Sequence, residues 1–320
     1  MHIDRITIFK GGALGDFLLT LPVLAALRAR FPDSRIRLIT APERAFLVQH
    51  LRFEVLDSGR REWTGLFNPA CPPDQNPLSL LKDESLFIAV SEAGLSPLPY
   101  LHPLARCISI PSFPPPGEQI HITDFLFQRL REAGLSLPVP SAFSLQSSAD
   151  FSFPPSAFFV IHPGSGSPRK NWPAENFVSI ARSLKKDRRL TPVILGGEAD
   201  GKTLERLRRM LEPGEALFLE IAPLQKAAAI LSRAVLYLGN DSGITHLASM
   251  LGVPVIALFG ATDQQIWGPR GRRVEIILGT APCAPCDAEK RRRCPDNVCM
   301  KSIAGERILE ATELLFAKPL

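Results

Sequence analysis

The apolar run Ala234 to Leu238 leads into Gly239-Asn240-Asp241-Ser242-Gly243 and then into the helical pattern Ile244-Thr245-His246-Leu247-Ala248. A strand, a polar glycine turn and a helix start, in that order, aim free backbone N–H groups and the positive end of the helix dipole at one small volume. A phosphate needs that chemistry. Asp241 or Ser242 can cap the helix, and Gly243 keeps its first turn bare. His246, one turn further on, has two readings: a satisfied core residue or a ligand contact.

Two more junctions have the same form. His162-Pro163-Gly164-Ser165-Gly166-Ser167 follows a strand and runs into Arg169-Lys170-Asn171-Trp172-Pro173. Gly164, Ser165 and Gly166 expose backbone and hydroxyl donors, and Lys170 can neutralise a pyrophosphate or stand on the surface. Gly11-Gly12-Ala13-Leu14-Gly15-Asp16 follows the first strand of the chain. Asp16 is either an N-terminal helix cap or a general base that takes a proton from an attacking hydroxyl. Gly196-Gly197-Glu198 ends another strand. Glu198 there can accept from ribose hydroxyls, as acidic residues at strand ends do in dinucleotide sites, or simply open a helix. Together these junctions point to an α/β enzyme that handles a phosphorylated or nucleotide-bearing substrate.

The elements that must position these residues form two similar halves. Ile3 to Phe9 reads as a buried strand. A helix over about Asp16 to Arg30 follows, with Leu18, Leu21, Leu24 and Leu27 near helical spacing and Pro22 in its first turns. Strands at Ile36 to Thr40 and Phe53 to Leu56 flank a short helix at Glu43 to Gln49. This βαβαβ order is the start of a doubly wound sheet. Short strands at Leu86 to Val90 and Cys107 to Ile110, turn-rich loops over 68–76 and 111–117, and a helix over Ile122 to Ala133 complete the half. The stretch 137–155 is rich in Pro and Ser and marks the boundary. The same alternation restarts with a strand at Phe158 to His162 and a helix at Pro173 to Leu184, and ends in a helix over Ile303 to Phe316. Two such halves imply a cleft that could hold a ligand.

The 320 residues are too many for one typical domain and suit two. Hydrophobic residues are 45% and charged residues 22%, as in a globular protein. A net charge of +5 suits an anionic substrate or surface and does not demand nucleic acid. The N-terminus opens directly on a strand without a leader pattern, and no run of 18 apolar residues occurs. A cytoplasmic protein is the expectation.

The motifs resemble those of glycosyltransferase family 9, the ADP-heptose:lipopolysaccharide heptosyltransferases. Residues 11–22, from Gly11-Gly12 through Asp16 to Pro22, resemble the family's N-terminal signature. His162 to Ser165 with Lys170 to Pro173 resemble its donor loop. Leu195 to Glu198 and Asn240 to Ala248 resemble two further signatures. Phe259-Gly260-Ala261-Thr262-Asp263 and Trp267-Gly268-Pro269 match the family's usual continuation of the chain. The resemblance implies a GT-B fold, two Rossmann-like domains facing across a cleft. By it, residues 1–150 bind the acceptor and 151–320 a nucleotide-sugar donor. It implies inverting transfer of heptose from ADP-heptose to a lipopolysaccharide core or related surface glycan, with no catalytic metal. It maps the catalytic carboxylate onto Asp16, the phosphate-facing lysine onto Lys170 and the phosphate-binding helix start onto Ser242 and Gly243. The implied partners are the ADP-sugar and a glycolipid acceptor, with peripheral contact at the inner membrane, no nucleic acid and no obligate protein partner. The acceptor half offers His102, Arg106 and His121 but no dense basic patch, so another surface glycan stays open as acceptor.

Four of six cysteines cluster as Cys283-x2-Cys286-x7-Cys294-x4-Cys299. The first pair has zinc-site spacing and the second is wide. A structural zinc is one reading; reduced thiols or a local disulfide are the other, and a cytoplasmic compartment argues against the disulfide. Cys71 and Cys107 are isolated. Three rival functions compete with the transferase: another GT-B-type sugar-nucleotide enzyme such as an epimerase, a zinc-ribbon nucleic-acid binder built on 283–299 and the basic run Lys290 to Arg293, and a noncatalytic relative. The last should lack Asp16 or Lys170, and both are present.

Overall fold

A computed structural model of the chain describes residues 3–66, 84–91, 106–140, 143–146, 156–220 and 223–317. The loop expected over 68–76, Cys71 and His102 lie outside the described residues, and of Glu198 only the backbone is described. The chain divides into two units, Met1–Phe143 and Ser144–Leu320.

The first unit is built on a five-stranded sheet: β1 (Arg5–Lys10), β2 (Arg35–Thr40), β3 (Glu54–Asp57), β4 (Leu86–Ser91) and β5 (Arg106–Pro111). The order is β3-β2-β1-β4-β5, and each neighbouring pair is parallel. Parallel strands need crossovers, and the crossover helices cover both faces of the sheet. Hence β4 is buried along its whole length. The chain works outward from β1 to β3, then returns to β4 on the other side. The carboxyl ends of β1 and β4 therefore form a topological switch point, where open α/β sheets bind ligands.

The helix expected over Asp16 to Arg30 is two helices, α1 (Leu14–Leu18) and α2 (Leu21–Arg30). Pro22 is the reason. It has no N–H to give the Leu18 carbonyl, and its ring would collide with that carbonyl in a continuous helix. It is accommodated instead in the opening turn of α2. The Thr20 hydroxyl donates to the Asp16 carbonyl at 2.8 Å across the break. The next helix is α3 (Ala45–Val48), bracketed by short 3-10 turns. The last in this unit is α4 (Ile122–Glu132).

The second unit carries β6 (Phe158–His162), β7 (Thr191–Gly196), β8 (Leu217–Glu220), β9 (Tyr237–Asn240), β10 (Val255–Phe259) and β11 (Val274–Leu278). Their order is β11-β10-β9-β6-β7-β8, again parallel throughout. Here the switch point falls between β6 and β9, so the loops after His162 and Asn240 emerge side by side. The helices are α5 (Ala174–Arg188), α6 (Gly201–Met210), α7 (Leu224–Leu231), α8 (Gly243–Met250), α9 (Gln264–Trp267), α10 (Ala288–Arg293), α11 (Val298–Lys301) and α12 (Gly305–Ala317). On α5 the expected face, Phe177, Ile180, Ala181 and Leu184, is buried. Each large apolar side chain sealed there contributes about 1.5–3 kcal/mol. No apolar periodicity marks α10 or α11, and neither was expected. The last helix was expected from Ile303, but Ile303 lies in the core before α12.

Candidate active site

In the first unit the turn after β1 is shaped around one carboxylate. Gly12 has φ of +88°, a conformation that disfavours side chains. A Cβ there would stand 3.1 Å from Asp16 Oδ2. The same oxygen accepts the Ala13 N–H at 3.1 Å, a bond typical of a helix start. Asp16 thus supports the first turn of α1 while standing at the switch point. Arg44 donates to the Gly12 carbonyl at 2.6 Å and lies 5.0 Å over the Phe17 ring. Burial draws its guanidinium down from the usual arginine range, and the Glu43 and Asp16 carboxylates pull it back up. Arg44 therefore adds positive charge to the surroundings of Asp16. No motif marks it in the sequence. Lys10, buried at the end of β1, donates to Ser112 Oγ at 3.1 Å.

Two residues expected on the acceptor side hold structure. The His121 ring accepts the Thr123 N–H at 3.2 Å as the N-cap of α4. Arg106 donates to the Ala133 and Gly134 carbonyls at the other end of that helix.

In the second unit Ser242 is the N-cap of α8, its Oγ accepting the Thr245 N–H at 3.3 Å. Gly243 opens the helix without a side chain. Lys170 reaches Asp241, Nζ to Oδ2 at 2.9 Å, and the Thr262 hydroxyl donates to the same oxygen at 2.6 Å. The pair is largely buried, at 16% and 9% side-chain exposure. Ion pairs in such places stabilise folds weakly, because desolvation offsets the attraction. An ammonium has three protons, and this contact uses one. Asn240 ties two loops together. It donates to the Pro163 carbonyl at 2.8 Å and accepts the Trp172 N–H at 3.0 Å.

The Ser165 hydroxyl contacts the Ser167 carbonyl at 2.7 Å and Asn171 Oδ1 at 2.6 Å, so it shapes its own loop. Gly164 is required by packing. A Cβ on it would fall 1.7 Å from Asp200 Oδ1. Glu198 opens a 3-10 turn after β7. His246 is buried on α8 at 3% exposure.

The four cysteines lie near enough to one another that, after burial, neighbouring thiols help raise both Cys286 and Cys299. Among the described residues no three His, Cys, Asp or Glu side chains are grouped to hold a metal ion. The thiols point to backbone instead: Cys286 Sγ donates to the Cys283 carbonyl at 3.3 Å and Cys294 Sγ to the Asp296 carbonyl at 3.1 Å. Cys299 is buried in the core. Burial, followed by the neighbouring Cys283 and Cys294, pushes the Cys286 thiol up. The segment serves as a clasp on the candidate site. Arg169 donates to the Pro295 carbonyl at 3.1 Å, Asn297 to the Asn171 carbonyl at 2.8 Å, and the Cys286 N–H to the Ala261 carbonyl at 2.8 Å.

The model of glycosyltransferase family 9 (heptosyltransferase) matches residues 132–295. The chain belongs to this family. Among relatives of this glycosyltransferase, lipopolysaccharide heptosyltransferase 3 of Escherichia coli is 23% identical over 349 residues, covering 94% of this chain and 95% of the relative. A glycosyl transferase of family 9 from Veillonella parvula superposes with a TM-score of 0.78 at 19% identity, over 98% of each chain. The E. coli ADP-heptose lps heptosyltransferase II superposes at 0.73 and 17% identity, over 97% of this chain and 98% of that one. The two structural likenesses establish the GT-B fold of two parallel α/β domains.

The glycosyltransferase also holds residues that motif reading left without a role. Thr262, Asn240, Asp200 and Arg44 all brace the signature turns. The Asp200 contact gives a direct test. Gly164→Ala is expected to destabilise the enzyme by about 1–3 kcal/mol, the usual range for overpacking a filled site. Chemical denaturation measures it, and Gly164→Ala with Asp200→Ala should recover part of the loss. A single variant as stable as the parent would mean that Asp200 swings aside freely.

Proposed function

We propose that this enzyme transfers heptose from ADP-heptose to a lipopolysaccharide core or related surface-glycan acceptor, inverting the anomeric centre. The observation that carries this reading is the Lys170–Asp241 pair at the bare start of α8. It sets a cation and a ring of backbone donors at one switch point. In this reading the unit Ser144–Leu320 binds the donor and the unit Met1–Phe143 the acceptor. Asp16 takes the proton from the acceptor hydroxyl, the hydroxyl oxygen bonds to the anomeric carbon, and the bond from that carbon to the diphosphate breaks. ADP departs with the electron pair. Lys170 and the N–H groups around Gly243 and Ile244 hold the charge that develops on it, electrostatic stabilisation by donors fixed in advance. These donors supply what a catalytic metal would otherwise provide. Asp241 lies close enough to Lys170 to set the cation's direction.

No helix among the described residues is long and apolar enough to cross a membrane. We place the enzyme in the cytoplasm, meeting the inner membrane peripherally through its glycolipid acceptor. The exposed Lys290, Arg292 and Arg293 on α10 suit an anionic lipid surface.

The test is a donor screen with purified protein, following nucleoside diphosphate release against a panel of core acceptors. ADP-heptose with a heptose-accepting core should give ADP and an extended glycan, undiminished by chelator. Consumption of the nucleotide sugar without any acceptor would favour an epimerase. A strict need for added magnesium would defeat the metal-independent mechanism.

A further inference from the structure

One peptide unit links a buried cation to Asp16. Arg44 lies in the short 3-10 turn after β2 and is 7% exposed. Its Nη2 donates to the Gly12 carbonyl at 2.6 Å. The N–H of that same peptide belongs to Ala13, and it donates to Asp16 Oδ2 at 3.1 Å. The guanidinium is fastened at two further points. Nη1 lies 3.4 Å from Thr40 Oγ1, and the Phe17 ring stacks against the guanidinium at 5.0 Å. Thr40 ends β2, and Phe17, fully buried, is the residue after Asp16. Arg44 thus joins the end of one strand to the turn after another, at the residues on either side of the Asp16 carboxylate.

A guanidinium keeps its charge at any working pH. Taking it out of water is costly, and a carboxylate in direct contact is the usual compensation. Among the described residues none forms an ion pair with Arg44; Glu43 and Asp16 act on it from further off. An apolar side chain would fill the same space without that cost, so packing alone does not account for the charge. The Gly12–Ala13 peptide does. Gly12 has φ of +88°, and with Gly11 before it the chain can turn this peptide over at little cost. Turned over, the peptide would present its carbonyl to the Asp16 carboxylate and its N–H to the guanidinium. Acceptor would face acceptor at one end and donor would face donor at the other. The observed orientation satisfies both ends. The cation also polarises the carbonyl, which strengthens the N–H as a donor to Asp16.

We infer that Arg44 is a positioning residue of the transfer reaction: through the Gly12–Ala13 peptide it fixes the direction in which the Asp16 carboxylate takes the acceptor proton. This deepens the proposed mechanism and rests on Asp16 as its base. Arg44 acts through Asp16 and not on the reacting atoms. With Oδ2 held against the Ala13 N–H, the plane of the carboxylate is set, and a base works only when its oxygen meets the hydroxyl in the right geometry. Without the guanidinium the peptide has two orientations of similar cost, and in one of them the carboxylate loses its anchor. Lysine is a partial substitute: it can reach the carbonyl with one N–H but has no plane to lay on Phe17.

The test uses the full chain with ADP-heptose and a heptose-accepting core. Arg44→Met keeps much of the side chain's length and drops its charge and donors. Its kcat should fall about 10- to 100-fold, the cost of a misplaced catalytic group, while its affinity for ADP stays at the parental value. Arg44→Lys should recover part of the loss. In an Asp16→Asn background, Arg44→Met should slow the residual rate little further, because no base is left to aim. Deuterium exchange of the Ala13 amide, followed by NMR, should quicken about fivefold or more in Arg44→Met, the worth of one hydrogen bond. A parental kcat in Arg44→Met overturns the inference. So does an equal fractional loss in both backgrounds, which would mark a purely structural brace. If Arg44→Met does not fold, Arg44→Lys carries the same comparisons. If Asp16→Asn turns over like the parent, the base reading fails and the inference with it. Unchanged Ala13 exchange in Arg44→Met would defeat the brace alone and leave the base reading standing.

Discussion

Replacing Asp16 with asparagine should leave the enzyme folded and able to bind ADP, yet lower turnover by about 100-fold or more, the range for a positioned proton acceptor. The amide keeps the shape of the carboxylate and can still accept the Ala13 N–H that holds the turn after β1. It cannot take a proton from a sugar hydroxyl. A helix-capping role alone would show up as lost stability with turnover nearly intact. Rates with saturating donor and acceptor, beside a thermal melt of the same sample, separate the two. Turnover within a few fold of the parent in a folded variant would reduce Asp16 to a cap.

A second large effect is expected at Lys170. Lys170→Ala removes the cation proposed to face the leaving diphosphate and also strands the buried Asp241 carboxylate. ADP affinity should fall by about 10- to 100-fold, the worth of a charge-assisted contact in a dry site, and transfer should slow with it. Adenosine, lacking phosphates, should bind nearly as before. The double variant Lys170→Ala, Asp241→Asn separates the two contributions. If the stranded carboxylate causes most of the damage, the double variant recovers ADP binding; if the lost cation does, it remains weak. Equal losses for ADP and adenosine would move Lys170 away from the phosphates.

The glycine turns and the alternation of strands and helices were legible because they are local. A strand that ends in Gly-Asn-Asp-Ser-Gly states its own geometry. The break between α1 and α2 was also written locally, in Pro22, but a proline in an opening turn looks the same whether it starts a new helix or sits in an old one. The braces were not legible. Asp200 explains Gly164, and Thr262 shares Asp241 with Lys170, through contacts between loops on different strands that no spacing records. The cysteines show the converse. Their spacing suggested a metal site, while no spacing shows that two thiols meet backbone carbonyls and a third lies in the core.

The clasp over the loop after β6 has a consequence for the order in which the molecule can be made. The Trp172 indole donates to the Ile303 carbonyl, a partner 131 residues later, and Asn297 reaches Asn171 across 126. The unit Met1–Phe143 is contiguous in sequence and can finish folding on the ribosome. The loop carrying Lys170 cannot. At typical speeds of synthesis it emerges about 6–25 s before the segment that fastens it. The loop after β6 is therefore among the last parts of the enzyme to be completed, and a nascent chain stalled shortly before Asn297 would carry Asp16 in a finished turn and an unfastened Lys170 loop.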